Sequence, residues 1–141
     1  HHTPSPACQD LLDAVLTGAR DPAIEGVDVV VRPALGATAS DVLDADGFLL
    51  GTPANLGYMS GALKHFFDTV YYPCLDATVG LPYGVYVHGN DDTSGALSSI
   101  ERITGALRWK QVAAPLHLVG APGKEELEAV RELAATVAVS L

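Results

Sequence analysis

Hydrophobic residues recur along the chain at helical spacing in some segments and in short continuous runs in others. The first segment, residues 6–20, has apolar side chains on one helical face, at Leu11, Leu12, Val15, Leu16 and Ala19. Ser5 is placed to cap this predicted helix, and Pro6 suits its first position, where a missing N–H costs no hydrogen bond. Residues 27–31, four valines and an aspartate, then predict a β-strand that is buried on both faces.

The same alternation continues to the end of the chain. It predicts a short helix over residues 39–45, a helix over 60–72, a helix with apolar positions from 97 to 107, and a last helix with apolar positions from 127 to 137. Strands are predicted over residues 48–50, 83–88 and 112–119. Helices that alternate with buried strands favour an α/β fold, a parallel sheet with helices on both faces, in a single domain of residues 1–141.

This series opens with a helix, although a sheet of this type should open with a strand. The loop before the first helix therefore has no strand of its own to follow. We expect a central strand to precede His1. Otherwise a four-stranded or swapped arrangement has to fill the centre of the sheet.

The chain carries seventeen acidic and eight basic residues, a formal net charge of −9. No lysine or arginine lies between Lys64 and Arg102. Nucleic-acid binding needs a basic surface that displaces counterions from phosphates, so no nucleic-acid partner is expected. The acidity is typical of a soluble protein, and a docking surface for basic redox partners is the alternative.

The apolar runs are far shorter than the ~20 residues that cross a bilayer. The segment before Arg20 contains no lysine or arginine that could begin a signal peptide. We therefore expect no membrane partner and a cytoplasmic protein. Cys8 and Cys74 form no CxxC pair, and the histidines lack metal-ligand spacing, so neither a disulfide nor a metal site is predicted.

Ligands of open α/β sheets bind beyond the carboxyl ends of the strands, where three connections here have unusual composition. The first is residues 2–8, at the amino end of the first helix, where free N–H groups and the helix dipole favour a phosphate. It matches neither a Walker A loop nor the dinucleotide glycine pattern. The alternative is an ordinary capped helix after a proline-rich turn, since Pro4 and Pro6 each remove a donor.

The second connection, residues 51–68, is rich in glycine. Glycine permits close backbone approach to a ligand, and Tyr58 is able to pack near the face of a flat ring. The alternative is an ordinary strand-to-helix loop, which explains each glycine separately but not the order of residues over the whole segment. Lys64 and Asp68 are four residues apart, so we expect them to form a structural ion pair.

This segment resembles a pattern found in flavodoxin-like NAD(P)H:quinone reductases of the WrbA type, and it is similar to NADPH-dependent FMN reductases. The matching residues are Asp46, Gly47, Gly51, Thr52, Pro53, Gly57, Met59, Ser60, Gly61, Leu63, Lys64, Phe66 or Phe67, and Asp68. The order of predicted elements agrees over nearly the whole chain. The resemblance implies a flavodoxin-like three-layer α/β/α fold with strand order 2-1-3-4-5, and FMN as the cofactor.

The resemblance also implies which residues bind FMN. The loop that opens the first helix would hold the phosphate, through Thr3, Ser5, Ala7 and Cys8. The loop after the strand at residues 48–50 would contact the flavin ring, through Pro53, Ala54, Asn55, Leu56, Gly57 and Tyr58. The third connection resembles the family's second ring loop, although it is more acidic than the family's glycine-rich version, and it would add His88, Gly89, Asn90, Asp92 and Thr93. For His88, a packed or solvent-facing side chain is the alternative.

The leading hypothesis is an FMN-dependent oxidoreductase that passes electrons from NAD(P)H to a quinone or similar small acceptor, as a homodimer or homotetramer. The cofactor carries the redox chemistry, so we name no catalytic residue. Flavodoxins, which only carry electrons, commonly hold the ring between aromatic residues of both ring loops. Here the third connection has no aromatic residue, which favours the reductase. A third hypothesis is an interaction domain that has lost cofactor binding.

Overall fold

A computed structural model describes residues 1–141 as ten helices and strands. In chain order they are α1 Pro6–Ala19, α2 Ala39–Leu43, β1 Phe48–Asn55, β2 Tyr58–Met59, α3 Gly61–Cys74, β3 Pro82–Gly89, α4 Ser94–Ala106, β4 Lys110–Gln111, β5 Leu116–Val119 and α5 Lys124–Ala138. None of the helices is long and apolar enough to span a bilayer.

The strands form one mostly parallel sheet in the order β2-β1-β3-β4, with β5 also paired to β3. In the parallel pair β1 and β3, Phe48 lies opposite Tyr83 and Pro53 lies opposite His88. β2 folds back antiparallel onto the end of β1. A parallel sheet with crossover helices confirms the predicted α/β class.

Helices cover both faces of this sheet. On one face, α3 and α4 form a core around Phe67, Ile100 and Trp109, and the Trp109 ring stacks on Phe48 with 4.1 Å between ring centroids. On the other face, α1 and α5 pack on Tyr86 and the residues around it. The sheet is therefore the middle layer of three, as the sequence predicts.

The predicted helices are confirmed to within a few residues, and so are the central strands, but two strand predictions need correction. β1 extends to Asn55 rather than residue 50, because the chain turns back on itself as the unpredicted strand β2. The strand predicted over residues 112–119 begins only at Leu116. Pro115 has no N–H to donate, so the ladder between β5 and β3 does not extend back through it.

The prediction of a strand over residues 27–31 is wrong. Side chains there alternate between half-buried and exposed, with Val30 65% exposed, so the segment is not buried on both faces. It makes no backbone–backbone hydrogen bond. A β-branched run favours the extended conformation, but a strand also needs a neighbour in register. The expected strand ahead of His1 stays a prediction.

Candidate functional site

The three candidate connections meet at one edge of the sheet. Pro53 of β1 lies opposite His88 of β3, where both parallel strands end. His88 in turn reaches the amino end of α1, where its Nδ1 lies 3.9 Å from Sγ of Cys8. This is the carboxyl edge of the sheet, where α/β folds bind ligands. The fold therefore brings the three sequence-predicted segments together.

The amino end of α1 presents three backbone N–H groups that donate to no acceptor in the protein. They belong to Thr3, Ser5 and Ala7, and the prolines between them have no N–H to offer. Ser5 caps the helix, since its Oγ accepts a hydrogen bond from the Cys8 N–H at 3.2 Å. Free amides at a helix start, together with the helix dipole, form a site suited to an anion.

Two histidines complete this end of the site. The ring of His1 hydrogen-bonds the Thr3 hydroxyl, with 2.7 Å between Nδ1 and Oγ1. The Nδ1 of His2 is the one buried side-chain nitrogen or oxygen in the protein that has no partner. An unpaired buried nitrogen beside three free amides indicates a polar ligand site. The first candidate connection begins at His2, but sequence analysis assigned no role to its ring, because the burial of Nδ1 depends on the neighbouring parts of the fold.

The tip of the β1–β2 hairpin is a two-residue turn of unusual composition. Leu56 and Gly57 both have positive φ, +51° and +73°, as a type I′ turn requires. Glycine adopts this conformation freely, but a leucine there costs about 1–2 kcal/mol. The Leu56 side chain is also fully exposed. Strain of this kind, with an apolar side chain held in solvent, is a feature of ligand sites.

The base of the hairpin is fixed by hydroxyl groups. The Thr52 Oγ1 accepts a hydrogen bond from the Ser60 N–H at 3.1 Å, although Thr52 itself is buried. The Ser99 Oγ of α4 accepts from the Met59 N–H at 3.3 Å. Because these two hydrogen bonds fix the strand that follows the tip, the position of the tip is set by the sheet and by α4.

The tip itself packs against the amino end of α4. A Cβ added to Gly95 would lie 2.1 Å from the carbonyl oxygen of Gly57, so only glycine fits there. Of the ring-loop candidates, Pro53 is buried and Ala54 is half-buried, whereas the others are exposed: Asn55, Leu56, Gly57 and Tyr58. The accessible surface of this loop is therefore its tip.

His88 is buried and both of its ring nitrogens are engaged. Its Nε2 lies 2.7 Å from the Gly120 carbonyl oxygen, which can only accept, so Nε2 carries the proton. In the neutral ring, Nδ1 then faces the Cys8 thiol as an acceptor. The neighbouring Gly89 is buried, and its carbonyl oxygen accepts from the Gly120 N–H at 2.9 Å. These two candidates therefore join strands and helix rather than face solvent.

The rest of the third loop is partly exposed. Asn90 and Asp92 reach solvent, whereas Thr93 is buried, with its Oγ1 2.7 Å from Nδ1 of His117 on β5. The Asp92 Oδ1 accepts the Ser94 N–H at 2.8 Å, and hydrogen bonds from Ser94 lower the pKa of Asp92. Sequence reasoning missed His117, which the end of a fourth parallel strand brings to the same edge.

The predicted ion pair between Lys64 and Asp68 is present on the exposed face of α3. No group of three or more His, Cys, Asp or Glu side chains is arranged to hold a metal ion. The carboxyl edge thus combines free backbone N–H groups, hydroxyls and apolar groups with the histidine, cysteine and aspartate side chains described above.

The family model for NADPH-dependent FMN reductases matches residues 9–124. The chain belongs to that family. Membership indicates FMN as the cofactor of the chain and oxidoreductase as its class. The matched segment contains the second and third of the three connections described above.

Similar proteins support the same fold. A flavodoxin of Aquifex aeolicus (strain VF5) is 42% identical over 60 residues, which cover 43% of this chain and 31% of that protein. The chain thus matches about a third of that relative's length. A flavodoxin structure from the domain Archaea superimposes with a TM-score of 0.79 at 15% identity, covering 94% of this chain and 88% of that one. A flavodoxin, WrbA-like protein of Agrobacterium tumefaciens gives 0.73 at 18% identity, covering 94% and 87%. These structures confirm the flavodoxin-like fold.

FMN fits the groups that this edge presents. The free amides of Thr3, Ser5 and Ala7 are donors suited to its phosphate. The exposed, apolar tip at Leu56 and the 41% exposed ring of Tyr58 suit a flat aromatic ring system. The free N–H groups therefore suit the phosphate of FMN, and the apolar hairpin tip suits its ring system.

Proposed function

We propose that this chain is an FMN-dependent oxidoreductase that takes electrons from NAD(P)H and passes them to a quinone or a similar small acceptor. The observation that carries the proposal is the joint placement, at one sheet edge, of three free amides and a strained apolar hairpin tip in a member of the FMN reductase family. Bound FMN supplies the hydride and electron chemistry. The residues of the chain bind it, orient it and exclude water.

The phosphate end depends on backbone groups. Thr3, Ser5 and Ala7 offer N–H donors, and no lysine or arginine precedes Arg20. Each hydrogen bond to a charged group contributes about 1.5–3 kcal/mol. Even after the phosphate loses its own hydration, a selectivity of about 3 kcal/mol for FMN over riboflavin is expected, which is about a hundredfold in Kd.

The ring end is open on one side. Leu56 and Tyr58 offer apolar surface from the hairpin, and the loop around Asn90 offers only small or polar side chains. A flavin held from the hairpin side keeps its other face free. Small and polar side chains on that side are compatible with a nicotinamide and then an acceptor over the ring, which supports a reductase rather than a carrier with aromatic residues on both ring faces.

A non-enzymatic electron carrier is the second candidate. The 42% identical segment of the Aquifex aeolicus flavodoxin favours it, and so does the net charge of −9, which suits docking to basic redox proteins.

The proposal also includes assembly as a homodimer or homotetramer in the cytoplasm. Exposed apolar side chains such as Tyr72 and Leu35 support assembly, and sedimentation of the purified protein tests it.

Flavin titration tests the binding step. Purified protein is titrated with FMN and, separately, with riboflavin, and the quenching of flavin fluorescence is measured. We expect FMN to bind at micromolar concentration or tighter, about a hundredfold more tightly than riboflavin. Equal affinities would mean that the amino end of α1 does not hold the phosphate. Failure to bind FMN would leave only the interaction-domain hypothesis.

Anaerobic mixing tests the reaction. The FMN-loaded protein is mixed with NADPH or NADH and followed by flavin absorbance, and a quinone is added after bleaching. A reductase bleaches rapidly and recovers its absorbance with the quinone. If neither nicotinamide bleaches the flavin while dithionite does, the chain is a carrier and the proposal fails.

A matched pair of variants tests the ring contact. Leu56→Asn keeps the turn, because asparagine suits positive φ, and should stabilise the fold by about 1 kcal/mol. It removes apolar contact surface, so FMN affinity should fall about tenfold. Leu35→Asn is the control, since Leu35 is also exposed but lies outside the three loops. An equal change of affinity in both variants would exclude a specific contact at Leu56.

A further inference from the structure

His117 on β5 is hydrogen-bonded to the third loop, residues 90–93, between β3 and α4. Its neighbours Leu116 and Leu118 pack with α1 and α5, so His117, which alternates with them, points to the opposite face of the sheet. There its Nδ1 lies 2.7 Å from the Oγ1 of Thr93. The His117 side chain is exposed, whereas Thr93 is only 3% exposed. This hydrogen bond therefore joins a strand of the sheet to the end of the loop.

Thr93 is the residue just before α4, a position from which a threonine usually caps the helix. Its hydroxyl makes no cap hydrogen bond here, and its φ of −104° and ψ of 0° differ from the extended conformation of most N-cap residues. Asp92 acts instead, because its Oδ1 accepts the Ser94 N–H at 2.8 Å. The Thr93 hydroxyl is thus held away from α4, and His117 is the side chain that bonds it.

Two backbone N–H groups remain free at the amino end of α4. The amides of Gly95 and Ala96 donate to no acceptor in the protein, and a capping hydroxyl would take up a donor of this turn. Gly95 also lies against the hairpin tip, where a Cβ on it would be 2.1 Å from the Gly57 carbonyl oxygen. The amino end of α4 therefore adjoins the tip that is suited to a flavin ring.

The methyl group of Thr93 packs toward the hairpin. A Cβ on Gly89 would lie 3.0 Å from the Thr93 Cγ2 and 3.5 Å from the Ala54 Cβ, so these groups surround one point at the end of β3. A movement of Thr93 would therefore change both the third loop and the space beside β1. The hydrogen bond from His117 is on the other side of the same residue.

We propose that His117 is a positioning residue for the flavin ring, because its hydrogen bond to Thr93 holds the third loop in the shape that leaves the donors of α4 free. This role rests on the proposed function, in which the ring of FMN lies at this edge. N–H donors suit the carbonyl oxygens of such a ring. FMN and riboflavin share the ring and differ in the phosphate, so loss of the hydrogen bond weakens the binding of both equally.

Two matched pairs of variants of the whole chain test this role. Thr93→Val and His117→Leu keep the side-chain shape and remove the hydrogen bond, whereas Thr93→Ser and His117→Asn keep a bonding group. Loss of the bond should raise the Kd for FMN and the Kd for riboflavin by the same factor, about fivefold. Thr93→Ser and His117→Asn should stay within about twofold of the parent chain. His65→Leu, at an exposed histidine of α3, is the control and should bind both flavins as the parent does.

A double variant and a measurement without flavin separate this role from a general loss of stability. Thr93→Val combined with His117→Leu should weaken flavin binding no more than either change alone, because both remove the same hydrogen bond. In the flavin-free protein, exchange of the Ser94 amide hydrogen should become at least about fivefold faster in Thr93→Val. It should not change in Thr93→Ser.

Three results would overturn this role while the parent chain binds FMN. Unchanged Kd values in Thr93→Val and His117→Leu would mean that the pair does not position the ring. A loss confined to FMN would assign the effect to the phosphate end at α1. Additive losses in the double variant would mean that the two side chains act separately. Binding of neither flavin by the parent chain is a different failure, that of the proposed function, and it removes this role as well.

Discussion

The contact between Gly95 and the hairpin tip allows a sharp test, because one methyl group should change both stability and flavin binding. In Gly95→Ala the new Cβ would lie 2.1 Å from the carbonyl oxygen of Gly57, where ordinary contacts begin at 3.4 Å. The obstacle is backbone, so it cannot rotate away as a side chain would. The hairpin tip or the first turn of α4 has to move by about 1 Å.

The expected magnitude follows from two opposing effects. Alanine stabilises a helix relative to glycine by about 0.5–1 kcal/mol, and overpacking costs about 1–3 kcal/mol. Gly95→Ala should therefore destabilise the fold by about 1–2 kcal/mol. Gly105→Ala, in the same helix, is the control, because its Cβ would meet nothing within 4 Å. It should stabilise the fold by about 0.5–1 kcal/mol, so the free energies of unfolding of the two variants should differ by about 1.5–3 kcal/mol.

Urea denaturation measures the free energy of unfolding of both variants. FMN titration measures how far a displaced hairpin tip weakens the affinity for FMN. Affinity for FMN should fall about tenfold or more in Gly95→Ala, since a shift of about 1 Å misplaces the residues around Leu56. Gly105→Ala should bind FMN as the parent chain does. If the two variants have the same stability and the same affinity, α4 does not position the hairpin and the reasoning is refuted.

Other expected outcomes concern the amino ends of α1 and α4 and the contact between α1 and α5. Ser5→Ala removes the cap of α1, and its free energy of unfolding should fall by about 1 kcal/mol in urea, with weaker FMN binding in the same sample. Hydrogen bonds from Ser94 lower the pKa of Asp92 below its ordinary 3.8, so the stabilisation is present above about pH 4 and is lost as the pH falls through the lowered pKa. The free energy of unfolding of the parent chain should therefore exceed that of Asp92→Asn at neutral pH, and the difference should disappear below about pH 4. A difference that grows below pH 4 would contradict the lowered pKa of Asp92. Gly18→Ala places a Cβ 2.0 Å from the Arg131 carbonyl oxygen, so thermal unfolding should show a loss of about 1–3 kcal/mol, and an unchanged Tm would contradict the close approach of α1 and α5.

Local sequence determined most of the helices. The apolar spacing in α1, its Ser5 cap and its proline start are all properties of neighbouring residues, and they predicted the helix to within one residue. The glycine-rich order after β1 likewise predicted a loop at the carboxyl edge of the sheet, where the hairpin tip lies. Such signals survive without tertiary structure because hydrogen bonds in a helix join residues only four apart.

Tertiary structure decided the rest, because it depends on which distant groups meet. The valines at residues 27–31 favour an extended chain, but whether they form a strand depends on a partner in register. The positive φ of Leu56 is opposed by its own side chain and is imposed by the hairpin and by α4. His88 could have faced a ligand, and only the positions of Cys8 and Gly120 show that its ring is engaged on both sides. The sequence by itself thus determined the helices and the sheet edge where the candidate site lies, whereas contacts between residues far apart in the chain decided which groups at that edge have no partner within the protein.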